Sequence, residues 1–337
     1  MQFKTLAAAG AVTLMALSLT ACGGSGTGNG GGSAGTTLTI AFNQNAEHPQ
    51  AQAMTQAGAA LEEATGGAYG LEVFPDELLG AQDETLEQVR SGTIDMAVVA
   101  GSVLEGINPD ISVINLPYLY SSAEQQVSVL NDDAIVGELF DTLNADNLEV
   151  LAVYHAGARS LYTTDGPVTT PEDLAGQRIR VIESDTNITM MQLMGGVGAP
   201  MDMGEVYTAI QSGVLDGAEN NELVYSNMAH AEVAPYFSET RHLMLPDLLV
   251  INTGVLDAMD DESEAALREA VAASVDTEVE LFATAVEEAR TAAEEAGATF
   301  SEPDVEAFRA AVLPLHDEVV TSDSARAVYD AITAAAE

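Results

Sequence analysis

Two stretches of this chain repeat one arrangement, "VRSGTIDMA" (89–97) and "IQSGVLDGA" (210–218). In each, an amphipathic helical pattern runs up to Ser-Gly. Two uncharged residues follow, then Asp, one further residue and Ala. Gly supplies the helix stop, and an apolar strand pattern begins beyond it. A joint of this kind needs a sheet to lay its helix against, so two copies predict two similar α/β lobes. The loops after Ala97 and Ala218, "VVAGS" and "ENNE", then take equivalent places and face each other across a cleft. In open α/β sheets, ligands bind beyond the carboxyl ends of strands.

The surrounding pattern agrees with α/β layering. "TLTIAF" (37–42), "GLEVFP" (70–75) and "IDMAVVA" (94–100) read as strands, separated by helical patterns over 49–64 and "AQDETLEQVRSG" (81–92). "LEVLAVYHAG" (148–157) and "QRIRVIE" (177–183) are further strands. Between them "TTPEDLAG" is a short helical turn, with Thr170 as cap, Pro171 at its first position and Asp173 completing a capping box. Residues 185–194 form a short helix closed by Gly195 and Gly196, and Met190, Met191 and Met194 lie on its core face. "GGVGAP" (195–200) follows a helix, so it reads as a helix end and not as a phosphate cradle. Residues 260–297 are helical throughout, long enough to run across both lobes.

The N-terminus carries a secretory pattern: Lys4, an apolar run from Leu6 to Leu19, then small residues. "LTAC" ends it as a bacterial lipobox would, with Cys22 cleaved free and lipidated. Cys22 is the only cysteine, so no internal disulfide forms. "GGSGTGNGGGSAGT" (23–36) is a flexible tether. The expected division is a signal peptide over 1–21 and a lipidated Cys and tether over 22–36. Lobe I takes 37–157 plus about 246–283, and lobe II takes 158–245 plus about 284–337. The body is then held at the outer face of a bacterial membrane, at the cell surface or in the periplasm.

Lysine and arginine number 10 against 53 acids, a formal charge of −43. Such a chain repels nucleic acid and anionic membrane surfaces. The acids are scattered, as on a solvated, salt-adapted surface. The five histidines form no HExxH or HxH pair, and no Cys/His cluster exists for zinc. There is no GxSxG elbow and no P-loop. His48 and His155 read as structural or surface residues. No catalytic residue, metal or cofactor is expected.

Taken together, "INLPYLY", "TTPEDLAGQRIRV" and "MDMGEVYTAIQSGVLDGAEN" resemble the DctP-type solute-binding proteins of TRAP transporters, over residues 37 to about 330. The resemblance implies a two-lobe periplasmic-binding-protein-like α/β fold, with hinge-linked lobes and a long connecting helix. It implies capture of a small organic acid and delivery to a permease of small and large membrane subunits. Arg180 of "RIRV" matches the family's main carboxylate-binding arginine, and Arg159 of "HAGARSLY" matches a second. Asn220 at the end of "DGAEN", Met203 two residues before "EVY", Asn43 after the first strand and Ser102 in "VVAGS" match pocket-lining positions. Ala100 and Gly101 stand where binders of amino-bearing sugar acids have glutamate, which argues against that ligand. Asn220 replaces the aromatic residue of metal-using keto-acid binders, which argues against a metal.

Physical chemistry supports the arginine assignment. A carboxylate entering a closing cleft loses water and needs compensation, and guanidinium offers a rigid, permanently charged fork. Arg178 and Arg180 share a strand face by alternation. Arg180 is nearer the strand's carboxyl end, where clefts form. Arg178 is nearer Glu172 and Asp173, where a structural ion pair is expected. A monomer is expected. The rival readings are a binding protein of an ATP-driven importer, a ligand sensor and a secreted enzyme.

Overall fold

The computed structural model describes residues 35–336. The expected signal peptide, the lipidation at Cys22 and the tether up to residue 34 lie outside the described residues. In chain order the strands are β1 (Thr36–Ala41), β2 (Tyr69–Phe74), β3 (Met96–Ala100), β4 (Leu148–Tyr154), β5 (Arg159–Thr163), β6 (Arg178–Val181), β7 (Val197–Pro200), β8 (Gly217–Asn220), β9 (Tyr236–Leu243), β10 (Asp247–Asn252) and β11 (Thr299–Ser301). The helices are α1 (Pro49–Ala64), α2 (Gln82–Arg90), α3 (Ala123–Leu130), α4 (Asp133–Phe140), α5 (Asp185–Leu193), α6 (Met203–Gln211), α7 (Glu222–Asn227), α8 (Thr253–Asp257), α9 (Asp261–Glu295), α10 (Val305–Val312), α11 (Pro314–Val319) and α12 (Asp323–Ala334). Two mixed sheets result, ordered β2-β1-β3-β10-β4 and β11-β9-β5-β8-β6-β7.

Central strands of the first sheet are covered on both faces. All five residues of β3, "MAVVA", are buried, as are Leu248 to Asn252 of β10. Strands buried on both sides read as continuous apolar runs, and each such Val or Leu contributes about 1.5–3 kcal/mol relative to exposure. The chain passes to the second sheet at residues 155–158, returns at 244–246, and crosses again along α9. Leu267, Val271 and Val275 of α9 join the core of the first sheet, Phe282 and Ala289 pack with Leu223, and Ala293 joins the core of the second sheet. Its 35 residues span about 52 Å at 1.5 Å per residue.

The repeated joint is visible in atomic detail. α2 and α6 are capped at their C-termini by Ser91 and Ser212, and the next glycines, Gly92 and Gly213, take φ of 69° and 75°. That left-handed backbone is why glycine stands there. Asp95 Oδ2 accepts the N–H of Thr39 at 2.8 Å, and Asp216 Oδ2 accepts that of Arg178 at 2.8 Å. Thus the shared aspartate ties each incoming strand, β3 and β8, to its parallel neighbour.

Two expectations change. "GGVGAP" ends α5 at Gly195 and Gly196 but then continues as β7, the edge strand beside β6. The block expected as 284–337 of lobe II is split. β11 and α10 pack on β9, whereas α12 returns to α4 and the 109–115 turn of the first lobe. Ala325, Val328 and Ile332 give α12 a buried face, but periodicity names a face and not its partner.

Candidate functional site

A cleft of ≈ 580 Å³ opens where the segments after β2 and β3 meet those after β6 and β7. One wall holds Glu77, Gln82, Asp83, Ser102 and Glu105; the other holds Arg180, Glu183, Asp185, Asp202 and Met203. Arg180 is the only cation among these lining residues.

The sequence of β6 places that cation. "RIRV" runs exposed, buried, buried, buried, so Arg178 lies at the rim and Arg180 inside. The strand partners of Arg180 are Ala199 on β7 and Ala218 on β8. Their small side chains leave room for a long one. Arg180 is 3% exposed. Its Nε donates to Met201 O at 2.7 Å. Among the described residues its two terminal nitrogens have no acceptor. Burial holds its pKa below the usual arginine value, and the charge of Arg159 pushes the same way; Glu219, Tyr162 and Asp202 oppose them. A guanidinium in that position attracts an anion strongly, because desolvated charge is costly without a partner. Ser102 Oγ, in the opposite wall, is buried and has no hydrogen-bond partner among the described residues.

Arg159 sits apart from the cleft wall, on β5. It is 4% exposed and bound to Glu219 through Nε (2.5 Å) and Nη2 (2.7 Å), with further bonds to Glu219 O (2.8 Å) and Asn220 Oδ1 (3.2 Å). His242 Nε2 lies 3.5 Å from Glu219. Burial alone would raise the Glu219 carboxyl, but the Arg159 charge and hydrogen bonds from His242 and Arg159 hold it at about 2. The structure thus brings Arg180, Met203 and Ser102 to the cleft. It sets Arg159 and Asn220 behind it, paired to each other through β8. Asn43, half-buried after β1, is outside the cleft lining. Of "ENNE", Asn221 is buried and bonded to Ala156 O at 2.7 Å.

Arg178 has the structural role expected of it, with a different partner. Its Nη2 donates to Asp216 Oδ1 at 3.0 Å and to Gly213 O at 2.8 Å, binding the repeated joint instead of Glu172 or Asp173. Asp173 is committed to its own turn, accepting from the N–H groups of Thr169 and Thr170. Exposed pairs contribute little, so Arg178→Ala is expected to leave the thermal unfolding midpoint close to the parent's. A fall as large as that of a buried-pair variant would contradict this.

His48 and His155 are buried structural residues, packed edge-on to Phe282 at ring distances of 5.9 and 5.3 Å. Burial lowers them to about 3 and about 4, so both are neutral at physiological pH. The acidic lining of Glu77, Asp83, Glu105 and Asp202 was not found from sequence. Fifty-three acids spread along the chain conceal six in one cleft. Burial and the charge of Asp202 raise the Glu77 carboxyl, and burial and the charge of Asp83 raise that of Asp202. Among the described residues no group of three or more His, Cys, Asp or Glu is arranged to hold a metal ion, and no helix is long and apolar enough to cross a membrane.

The sequence profile of "Bacterial extracellular solute-binding protein, family 7" matches residues 40–323. A TRAP periplasmic solute-binding protein from Anaerococcus prevotii, solved with bound α/β-D-glucuronate, is 36% identical. It aligns over 89% of this chain and 98% of its own, with a TM-score of 0.86. A second, from Xanthobacter autotrophicus with bound β-D-galacturonate, is 34% identical over 88% of this chain and 99% of its own, with a TM-score of 0.84. A solute-binding protein of Chromohalobacter salexigens is 35% identical over 81% of each chain.

Proposed function

Because the chain belongs to family 7 of the bacterial extracellular solute-binding proteins, we propose that it captures a hexuronate and delivers it to a TRAP permease. Family members bind solutes for transporters, act outside the cytoplasm and are not enzymes. The observation that carries the ligand reading is Arg180: a buried guanidinium whose two terminal nitrogens have no acceptor among the described residues, in a cleft lined by acids, hydroxyls and apolar side chains with no other cation. Arg180 takes the carboxylate. The acids, with Gln82 and Ser102, suit the hydroxyls of a sugar ring, and Met203 packs against an apolar face of it. The volume is within the range usual for small ligands, about 300–1,000 Å³. The same acids would repel the second carboxylate of a C4-dicarboxylate, so a polyhydroxy monocarboxylate fits better. The relatives solved with glucuronate and galacturonate support this class.

Arg159, locked to Glu219, serves as a structural tie between β5 and β8, and Asn220 serves with it. Asn43 is assigned no ligand contact. We further propose that Cys22 carries a lipid and that the protein works as a monomer on its tether. Metabolic labelling with an alkynyl fatty acid tests the first point, and unlabelled protein would refute it.

The function is tested by thermal shift. D-Glucuronate or D-galacturonate at a hundred times its Kd stabilises the folded state by about 2.7 kcal/mol. At roughly 2–4 °C per kcal/mol the midpoint rises by roughly 5–10 °C. Succinate and glucose leave it unchanged. Stabilisation by succinate without any by the uronates would contradict the reading.

A further inference from the structure

Away from the Arg180 cleft, two glutamines with no exposed surface sit where the chain crosses between the sheets. Gln126 of α3 donates from Nε2 to Met244 O at 2.7 Å, and its Oε1 lies 2.7 Å from His155 Nδ1. Because the amide nitrogen is spent on a carbonyl, the oxygen accepts, and His155 carries its proton on Nδ1. Gln50 of α1 donates from Nε2 to His155 O at 3.2 Å and to Asp247 Oδ2 at 2.9 Å. His155 opens the outgoing crossing, Met244 the return, and Asp247 starts β10 directly after it. Each glutamine therefore holds both crossings at once.

His155 is held at each of its backbone polar groups and at its ring. Its N–H donates to Glu278 Oε2 of α9 at 3.3 Å, its carbonyl accepts from Gln50, and its Nδ1–H donates to Gln126. Side chains of α9, α1 and α3 thus meet on one residue of the crossing. On the return side the hold continues through Tyr118, which follows the 109–115 turn. Its φ of 54° is uncommon for a residue with a side chain. In that bend Tyr118 donates its N–H to His242 O at 3.0 Å and its hydroxyl to Thr240 O at 2.9 Å. The second lobe takes hold one residue after His155, where Asn221 Nδ2 donates to Ala156 O at 2.7 Å. Gly157 follows with φ of 75°. Hinges are a few residues at element ends that absorb the backbone change, and here the tied residues end at His155.

We propose that Gln126 and Gln50 are positioning residues for capture: they fasten the two crossings to each other and to the first lobe, so that the second lobe brings Arg180 to one fixed place. Satisfied polar networks in a core rigidify it and specify a single arrangement. Gln126 is the stronger fastener, because both ends of its amide are bonded, whereas Gln50 Oε1 has no partner among the described residues. The alternative role is ordinary core filling, and the two differ in what their removal changes. Loss of core filling lowers the unfolding midpoint and leaves affinity alone. Loss of the fastening also lets the crossings shift independently, and only part of the population then closes with Arg180 aligned.

The size of the effect follows from that population. Apparent affinity is reduced by the fraction of molecules in the competent arrangement, so a fraction of about a tenth weakens binding about tenfold. Neither glutamine lines the Arg180 cleft. The contact between Arg180 and the carboxylate is therefore untouched in their variants. D-Glucuronate and its neutral amide, D-glucuronamide, lose affinity by the same factor. A residue that touched the ligand or tuned Arg180 would change the ratio between them.

This inference rests on ligand capture at Arg180, and the experiment keeps the two apart. Gln50→Met, Gln126→Met and the double variant keep the side-chain length and lose the hydrogen bonds. Each is titrated by calorimetry with D-glucuronate and D-glucuronamide, beside the parent. Spin labels on Glu138→Cys of α4 and Gln211→Cys of α6, both exposed positions, report lobe-to-lobe distances without ligand by pulsed dipolar spectroscopy. The positioning role predicts a broadened distance distribution and affinity at least about tenfold weaker in the double variant. It also predicts an unchanged ratio between the two ligands and a larger effect from Gln126 than from Gln50. Unchanged distances, unchanged affinity or an altered ratio would overturn it. The single variants carry the same test if the double variant does not fold. If the parent binds no uronate, the ligand reading fails, while the distances still decide whether the glutamines fix the lobes.

Discussion

Arg180→Ala is expected to weaken hexuronate binding by two to three orders of magnitude while the protein remains folded. Truncating one partner of a buried, hydrogen-bonded charge pair costs about 2–5 kcal/mol, and each 1.4 kcal/mol is tenfold in Kd. The high end applies here because Arg180 is the sole cation in the cleft lining and the carboxylate would remain among acids. The fold tolerates the change because the guanidinium makes one bond to protein, from Nε to Met201 O. Removing a buried charge repelled by Arg159 also relieves the native state. Arg180→Lys should recover only part of the affinity, since a point charge replaces a fork. Calorimetric titration with D-glucuronate checks all three proteins. Affinity in the alanine variant within tenfold of the parent would remove Arg180 from the site.

The largest stability effect is expected at the other arginine. Glu219→Ala leaves the Arg159 guanidinium 4% exposed and without its counter-ion. Breaking a buried pair by removing one partner costs about 3–5 kcal/mol, roughly 6–20 °C in the unfolding midpoint. Replacing both partners by apolar residues, Arg159→Met with Glu219→Leu, should cost less than the single change. The pair also predicts acid sensitivity. Glu219 is held at about 2, below the ordinary carboxylate value of 4.5. Its contribution is therefore present above about 4.5 and is lost as pH falls towards 2. In Glu219→Ala that part of the acid-unfolding curve should flatten. A single variant as stable as the parent would show that the pair does not support β5 and β8.

The two sites differ in how far they could be read from the chain. The repeated Ser-Gly joint announced both sheets, because a helix stop followed by a buried strand is a local pattern. The shared role of Asp95 and Asp216 needed the sheet, since the N–H groups they accept lie on neighbouring strands. Arg180 was legible because cations are scarce here and its motif is specific. Arg159 matched its motif equally well, yet its partner lies 60 residues away in sequence on an antiparallel strand. Only that pairing separates a neutralised arginine from an available one. The acids of the cleft were hidden by number, and the return of α12 by the ambiguity of an apolar face.

The central claim is that Arg180 receives a carboxylate. It is tested most directly by titrating the parent protein with D-glucuronate and with D-glucuronamide, its neutral near-isostere, by calorimetry. The account predicts that the amide binds at least about a hundredfold more weakly, a loss of about 2.8 kcal/mol. Equal affinity for the two would contradict it.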